Sequence, residues 1–426
     1  MIDVRRLRAE PEATRTLLAV RGDADVDGLL DRVLALDERR RAILGEVEVL
    51  KQRRNESSRE IGDRKRSGES ADDLLAEMKA VAEQVRELDA DLSSVEAELE
   101  ASLLQIPNPP DERVPPGGEG DFEVVRSWGE PRSPTPEDEP HWDIGERLGV
   151  LDLERGSKIT GSGFPVLFGP GARLNRALIQ FMLNLHTEEH GYIEVAPPFL
   201  VNRDSLVGTG QLPKFEEDQY RTVPDDLFLV PTAEVPVTNL HRGEILNASD
   251  LPKAYVAYTP CFRREAGAAG RDTRGLLRVH QFDKVELVRY TRPDDSADQL
   301  ELLTTHAESV LERLELPYRR ILLPAGDLGF SNAITYDLEV WSPGVDRWLE
   351  VSSCSSYTDF QARRANIRFR DDRSGKPEFV HTLNGSGVAL ARTLVAILEN
   401  RRESDGSVSV PDVLRPYTGF DRLSPP

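Results

Sequence analysis

The chain has 426 residues, with 54 Lys and Arg against 75 Asp and Glu, for a formal net charge of −21. That length supports two or three domains around a sizeable core. The acidic total argues against bulk nucleic-acid binding, although a local basic patch can still hold phosphate. No apolar run approaches the roughly 20 residues that span a bilayer. The opening "MIDVRRLRAEPEATRTLL" is charged and lacks the apolar stretch of a signal peptide. Two cysteines, Cys261 and Cys354, are too few for a disulfide framework, and a reducing cytoplasm fits.

Residues 26 to 104 contain two Gly-poor, Pro-free segments rich in Glu, Arg, Leu and Ala. In the second, apolar residues fall at Leu74, Met78, Val81, Val85, Leu88, Leu92, Val95 and Leu99. Steps of four and three alternate without a slip, which is the seam of a coiled coil. The first segment repeats this less cleanly at Leu29, Val33, Leu36, Ile43, Val47 and Leu50, with Arg40 at one seam position. A polar stretch holding Gly62 and Gly68 lets the two helices reverse into an antiparallel hairpin. A first helix from about Asp27 to about Asp63 would be roughly 55 Å long. Its far end carries "KQRRNESSREIGDRKRSG", in which Lys51, Arg53, Arg54, Arg59, Arg64, Lys65 and Arg66 face only three acidic residues. The plainer reading is a dimerising coiled coil with a solvated charged face. The contrast between this basic tip and the acidic second helix counts against it.

Five prolines and three glycines in "IPNPPDERVPPGGEGD" mark a domain boundary. The expected division is 1–105 for the arm domain, 106–120 for a linker and 121–426 for a second domain. "RSPTPEDEP" at 132 to 140 is a further turn-rich connector. Beyond about His141, "GARLNRALIQFMLNLHTEEHG" has helical periodicity. "LFLVPTAEVPVTNL", "KAYVAYTPCFR", "LLRVHQFDKVELVRY", "ITYDLEVW" and "RWLEVSSCSSYTDF" have the composition of strands. These follow one another without long intervening helices, so the expected class is α+β: an antiparallel sheet with helices packed on it.

"HTEEH", His186 to His190, matches a zinc-binding pattern and places both histidines on one helix face. No third ligand follows at sensible spacing, so a structural reading is preferred. "SKITGSGF" and "GTGQLPKF" are glycine-rich, but singly they indicate only flexible loops. Three other stretches matter as a set. "GYIEVAPPFL" passes from a helix through Gly191 to a strand with Pro197 and Pro198. "CFRREAGAAGRDTRGLLRVHQF" joins two strands through a loop with Arg271, Asp272 and Arg274, with Arg263 near the end of the first strand and Phe282 on the second. Paired arginines can clamp phosphate, and an aromatic ring can stack on a base. "NGSGVALARTLVAILEN" leads from Gly385 and Gly387 into a helix carrying Arg392. Such glycines let a ligand approach the backbone, and the arginine adds fixed charge.

In order and content these stretches resemble the three motifs of class II aminoacyl-tRNA synthetases, near 171–200, 261–286 and 383–400. Gly191-Tyr192-x-x-Val195-x-x-Pro198-Phe199-Leu200 looks like motif 1. Phe262-Arg263-x-Glu265, then Arg278-x-x-x-Phe282, looks like motif 2. Gly385-x-Gly387-Val388-Ala389-Leu390-Ala391-Arg392 looks like motif 3. "TAE" at 232 to 234, "TGQLPKF", "LEVSSCS", "HTLNGSG" and "VPDVLRPY" are similar to the bacterial-type seryl-tRNA synthetase family, and the resemblance covers the full chain including the hairpin. Arg264 stands where many relatives carry Ser.

The resemblance implies activation of serine by ATP to seryl-adenylate, then transfer to the 3′ end of tRNA(Ser), and of tRNA(Sec) where present. It implies catalytic roles for Arg263, at the α-phosphate and carboxylate, and Arg392, at the γ-phosphate of a bent ATP. Phe282 and Arg392 would sandwich adenine, with Val279 and Glu265 at its polar edge. Arg264, Val351 and Ser352 complete the ATP contacts, and Glu350 and Ser353 would hold Mg²⁺. These are positioning and electrostatic roles. Thr232, Ala233, Glu234, Arg263, Glu286, Asn384 and Ser386 would surround serine. A site that prefers serine to alanine should hydrogen-bond the hydroxyl, and Glu286 is the candidate for that contact. The basic tip would bind tRNA phosphates, and motif 1 implies a homodimer. Two alternatives stay open: an amino acid ligase that charges a carrier protein, and a paralogue that has lost activity.

Overall fold

A computed structural model describes residues 1–22, 25–266 and 274–425. Two compact units emerge, Met1–Pro107 and Asn108–Pro426.

The first unit is built on two long helices, Val26–Ser67 of 42 residues and Asp72–Leu103 of 32 residues. Ion pairs between them run in opposite directions along the sequence: Arg32 to Glu98, Arg39 to Asp91, Arg53 to Glu77 and Arg64 to Asp73. The helices are therefore antiparallel. Val33, Ile43 and Val47 bury against a seam that includes Val81, Val85, Val95 and Leu99. Arg40 reaches Glu96 at 2.9 Å, so the polar seam position has a partner across the hairpin. At the base, two short helices, Val4–Ala9 and Pro11–Ala19, bring Leu7 and Leu18 onto Leu30, Val33, Leu99 and Leu103.

The first helix runs beyond the expected end near Asp63, and Gly62 lies inside it. A single interior glycine costs a helix only about 1 kcal/mol, too little to stop one between good helix formers. The stop comes at Gly68, whose left-handed backbone (φ 80°) returns its N–H to the Arg64 carbonyl.

The second unit is organised by an eight-stranded sheet. In spatial order its strands are Glu123–Trp128, Tyr318–Leu322, Ile334–Ser342, Arg347–Ser356, His381–Ala389, Gln281–Thr291, Lys253–Phe262 and Ile193–Glu194. Neighbours are antiparallel except for the last pair, so the α+β expectation holds. Helices Gly169–Asn184, Ser296–Arg313 and Leu390–Asn400 bury Leu174, Leu178, Leu300, Leu303, Val395 and Ile397 in one core with the sheet.

Two register breaks shape the centre of the sheet. Opposite Leu338 and Glu339 stand Ser352 and Glu350, so Val351 is the extra residue of a bulge. Strict alternation would send residues 350 and 353 to opposite faces, and the bulge brings them to one. A second break separates Ser386 from Ala389 in the pairing with Gln281–Thr291. The glycines of this stretch serve packing rather than ligand approach. A Cβ on Gly385 would lie 2.8 Å from Cys354 Sγ, and one on Gly387 would lie 2.7 Å from His186 Nε2. Protein side chains already fill the space that the sequence suggested for a ligand.

Candidate active site and charged arm

A cavity of about 580 Å³ opens over the central strands. Its wall follows from alternation: Phe282, Lys284 and Glu286 are two residues apart on one strand and share the cavity face. The same cavity takes in Arg263 and Glu265 from motif 2, Glu350 and Ser353 from the bulge, and Arg392 from the motif 3 helix. Thr232, Glu234, Val279, Val351, Asn384 and Ser386 also line it.

One group of side chains is compact and buried. Thr232 Oγ1 donates to Glu286 Oε2 at 3.0 Å and accepts from Lys284 Nζ at 2.9 Å. Lys284 also ion-pairs with Glu286 directly. Gln361 Nε2 donates to Glu234 Oε1 at 2.6 Å, and Thr382 Oγ1 holds the other end of the Gln361 amide at 2.7 Å. Burial, and then the Glu286 carboxylate, push Glu234 up to about 7. Tyr357 donates to Asn384 Oδ1 at 3.0 Å on the same wall.

The second group is cationic. The Arg263 guanidinium lies 5.3 Å from the centre of the Phe282 ring, with its Nε on the Pro231 carbonyl at 3.3 Å. Arg392 donates from Nε to the Leu277 carbonyl at 3.1 Å and from Nη1 to the Glu350 carbonyl at 2.7 Å. Arg278 pairs with Glu265 at 3.2 Å. Glu265 has a left-handed backbone (φ 52°), an uncommon conformation for a side-chain-bearing residue and one that clusters at functional sites. Desolvation pulls Glu350 upward, but the charges of Arg392 and Arg263 outweigh it and leave its carboxyl below the usual value.

Ser353 Oγ donates to Glu350 Oε1 at 3.2 Å, so the expected cation pair is contiguous. Asp337 stands opposite Ser353 in the ladder, and its Oδ1 is buried without a hydrogen bond. Burial, with the neighbouring Glu350 charge, pushes the Asp337 carboxyl well above its ordinary range. Among the described residues no three His, Cys, Asp or Glu side chains are grouped to hold a metal ion. The Glu350 carboxylate and the Ser353 hydroxyl, both oxygen donors on the cavity wall, instead suit a hard cation that takes its other ligands from polyphosphate and water.

Three expected site residues stand off the cavity wall. Arg264 faces outward and donates to the Glu217 carbonyl at 3.1 Å. Ser352 lies on the far side of the bulge, with Oγ on the Ser386 carbonyl at 2.7 Å. Ala233 is fully buried in a neighbouring apolar cluster. Arg271 and Asp272 lie outside the described residues. "HTEEH" caps a helix: His186 is buried against Tyr192, and His190 stacks on His306 with ring centres 4.0 Å apart. Burial lowers His186 to about 3, so its ring is neutral. Sequence reasoning missed Lys284, Gln361 and Tyr357. Lys284 was recoverable, since it shares the two-residue alternation of Phe282 and Glu286. Gln361 and Tyr357 belong to no pattern in the sequence.

At the tip of the arm the seven basic residues divide. Arg64 pairs with Glu60 at 2.6 Å and with Asp73 at 3.1 Å, Arg53 pairs with Glu77, and Arg66 with Asp63. The side chains of Lys51, Arg54, Arg59 and Lys65 are exposed and make no ion pair or hydrogen bond among the described residues.

The antiparallel sheet and its arginine-lined cavity define a class II aminoacyl-tRNA synthetase core. Residues 214–401 match the family model "tRNA synthetase class II core domain (G, H, P, S and T)". Residues 1–110 match "Seryl-tRNA synthetase N-terminal domain". The chain is 55% identical over 420 residues to the serine–tRNA ligase of Gemmatimonas aurantiaca, covering 98% of this chain and 99% of that one. It superposes on the crystal structure of seryl-tRNA synthetase from Pyrococcus horikoshii complexed with ATP, with TM-score 0.94, 39% identity and full coverage of both chains. The cytoplasmic serine–tRNA ligase of Naegleria fowleri in complex with AMP gives TM-score 0.89 at 30% identity, over 100% of this chain and 99% of that one. The chain belongs to the seryl-tRNA synthetase family.

Proposed function

We propose that the cavity activates serine with ATP and passes the seryl group to tRNA, with the buried group and the cationic group dividing the substrates. The chain is a serine–tRNA ligase by family, and ATP is its nucleotide substrate. The observation that carries the division is the buried Thr232–Glu286–Lys284 group beside the Arg263–Arg392 group in one cavity.

A serine hydroxyl donating to Glu286 would satisfy a buried acceptor, which alanine could not do. The serine ammonium would meet Glu234, and its carboxylate would meet Arg263. Attack of that carboxylate on the α-phosphorus builds negative charge on the α-phosphate oxygens, where Arg263 lies. Arg392 would hold the terminal phosphates, which leave as pyrophosphate, and adenine would lie on Phe282. Mg²⁺, held by Glu350 and Ser353, would neutralise the polyphosphate. The tRNA 3′-terminal ribose hydroxyl then attacks the seryl carbonyl and releases AMP. The exposed Lys51, Arg54, Arg59 and Lys65 would bind tRNA backbone without reading bases. A homodimer built on motif 1, a cytoplasmic site of action and service to tRNA(Sec) complete the reading.

Serine-dependent ATP–pyrophosphate exchange, followed by transfer of labelled serine to tRNA, tests it. Exchange with serine and transfer to tRNA(Ser) are expected. Exchange without transfer to any tRNA would overturn the second half.

A further inference from the structure

We propose that His141 is a positioning residue for ATP, acting through the two-residue segment Leu276–Leu277. This rests on the reading of Arg392 as an ATP ligand.

His141 begins the short helix His141–Arg147, and neither its ring nor the Glu399 side chain is exposed to solvent. Glu399 Oε1 receives the His141 backbone N–H at 2.9 Å and lies 2.9 Å from His141 Nδ1. Glu399 Oε2 receives Gly344 N–H at 2.9 Å and the Ser342 hydroxyl. Each of these partners is a donor, so both carboxylate oxygens are satisfied. On the other side of the ring, Leu276 N–H reaches His141 Nε2 at 2.9 Å. A backbone N–H can only donate, so Nε2 accepts and the ring proton sits on Nδ1, toward Glu399. A carboxylate behind the ring makes Nε2 a stronger acceptor.

The same two-residue segment is gripped at its other end. Arg392 Nε donates to the Leu277 carbonyl at 3.1 Å. Arg392 and Glu399 belong to one helix, Leu390–Asn400, and stand seven residues apart, which is close to two turns and returns them to one face. One helix face therefore holds the Leu276–Leu277 segment at both ends, directly through Arg392 and through His141 from Glu399. Leu276, Leu277 and Val279 line the cavity. The burial of Leu276 and Leu277 anchors this segment in the core, and the His141 bond sets the backbone orientation that presents the carbonyl to Arg392. The approach is also sterically tight: a Cβ on Gly275 would lie 2.1 Å from His141 Nε2.

The test is the KM for ATP against the KM for serine in exchange assays, on full-length protein normalised by active-site titration. His141→Asn keeps a donor toward Glu399 but falls short of Leu276. It should raise the ATP KM about tenfold, the effect of removing one buried hydrogen bond. Its serine KM should stay within about twofold. His141→Gln, whose amide oxygen reaches the Nε2 position, should recover most of the ATP affinity. Gly275→Ala disturbs the same hydrogen bond without touching the buried carboxylate. It should raise the ATP KM as well, and it carries the test if the asparagine variant does not fold. A wild-type ATP KM in whichever of these two folds, or an equal rise in both KM values, overturns the proposal. Arg392→Ala run in parallel separates the failures. Undiminished exchange there would sink the ATP-site reading itself, whereas abolished exchange there with normal His141 variants would sink only the clamp.

Discussion

The arm and the cavity both depend on arginine, but under opposite conditions. On the arm, Arg53, Arg64 and Arg66 are tied to carboxylates while Lys51, Arg54, Arg59 and Lys65 stand in solvent. There each charge acts nearly independently, is screened by salt and can be replaced by a neighbour. In the cavity, Arg392 is fixed by two carbonyls and Arg263 by a third. There each guanidinium has one orientation, in a partly enclosed site where its charge acts more strongly than in water. The same side chain is a diffuse attractor in one unit and a placed instrument in the other.

Substitutions can break this contrast, and the largest effect should come from Arg392→Ala. Serine-dependent exchange should fall by about 100- to 1000-fold, the scale for removing one preorganised electrostatic group. Exchange near wild type in a folded variant would make the cavity arginine as dispensable as an arm residue. Next in size, Glu286→Ala should erode the preference for serine over alanine by at least about tenfold, because the hydroxyl no longer has its buried partner. Unchanged discrimination would move the hydroxyl-binding role elsewhere.

A smaller effect concerns pH. Glu234 ionises near 4.5 unfolded and at about 7 when folded, so the folded chain keeps a proton that the unfolded chain releases. Its contribution to stability therefore falls as pH rises from about 4.5 to about 7 and is level outside that window. An arriving serine ammonium needs the ionised form, so the serine KM should fall severalfold as pH rises through 7. In Glu234→Gln that dependence should disappear, and a flat profile in the wild type would refute the pairing. The smallest effects should come from Arg53→Ala or Arg66→Ala. Their charges already have partners, so the tRNA KM should change by less than about twofold.

Legibility followed regularity. The hairpin seam was readable because its steps of four and three never slip, and the strands were readable from their composition, whereas Phe282 was reached through the motif 2 stretch and Glu286 through the family resemblance. Lys284 lies two residues from each of them on the same strand face, yet a buried lysine has no meaning until its carboxylate partner is seen. Glu350 and Ser353 could be paired only by resemblance, because the bulge at Val351 that joins them leaves no trace in composition. Gly62 and Gly68 looked alike as turn residues, but only Gly68 adopts the left-handed backbone that ends the helix. The glycines of motif 3 were read as room for a ligand. Their neighbours, Cys354 and His186, come from distant sequence, so their packing role needed the fold.

The division of labour is tested most directly by one protein measured in both half-reactions. Replacing Lys51, Arg54, Arg59 and Lys65 together by alanine should leave serine-dependent exchange unchanged. The same variant should raise the tRNA KM and flatten its logarithmic salt dependence by about 0.7 to 0.9 for each phosphate that is no longer neutralised. An equal fall in exchange and tRNA charging would contradict the account, since the arm would then be supporting the cavity rather than holding the RNA.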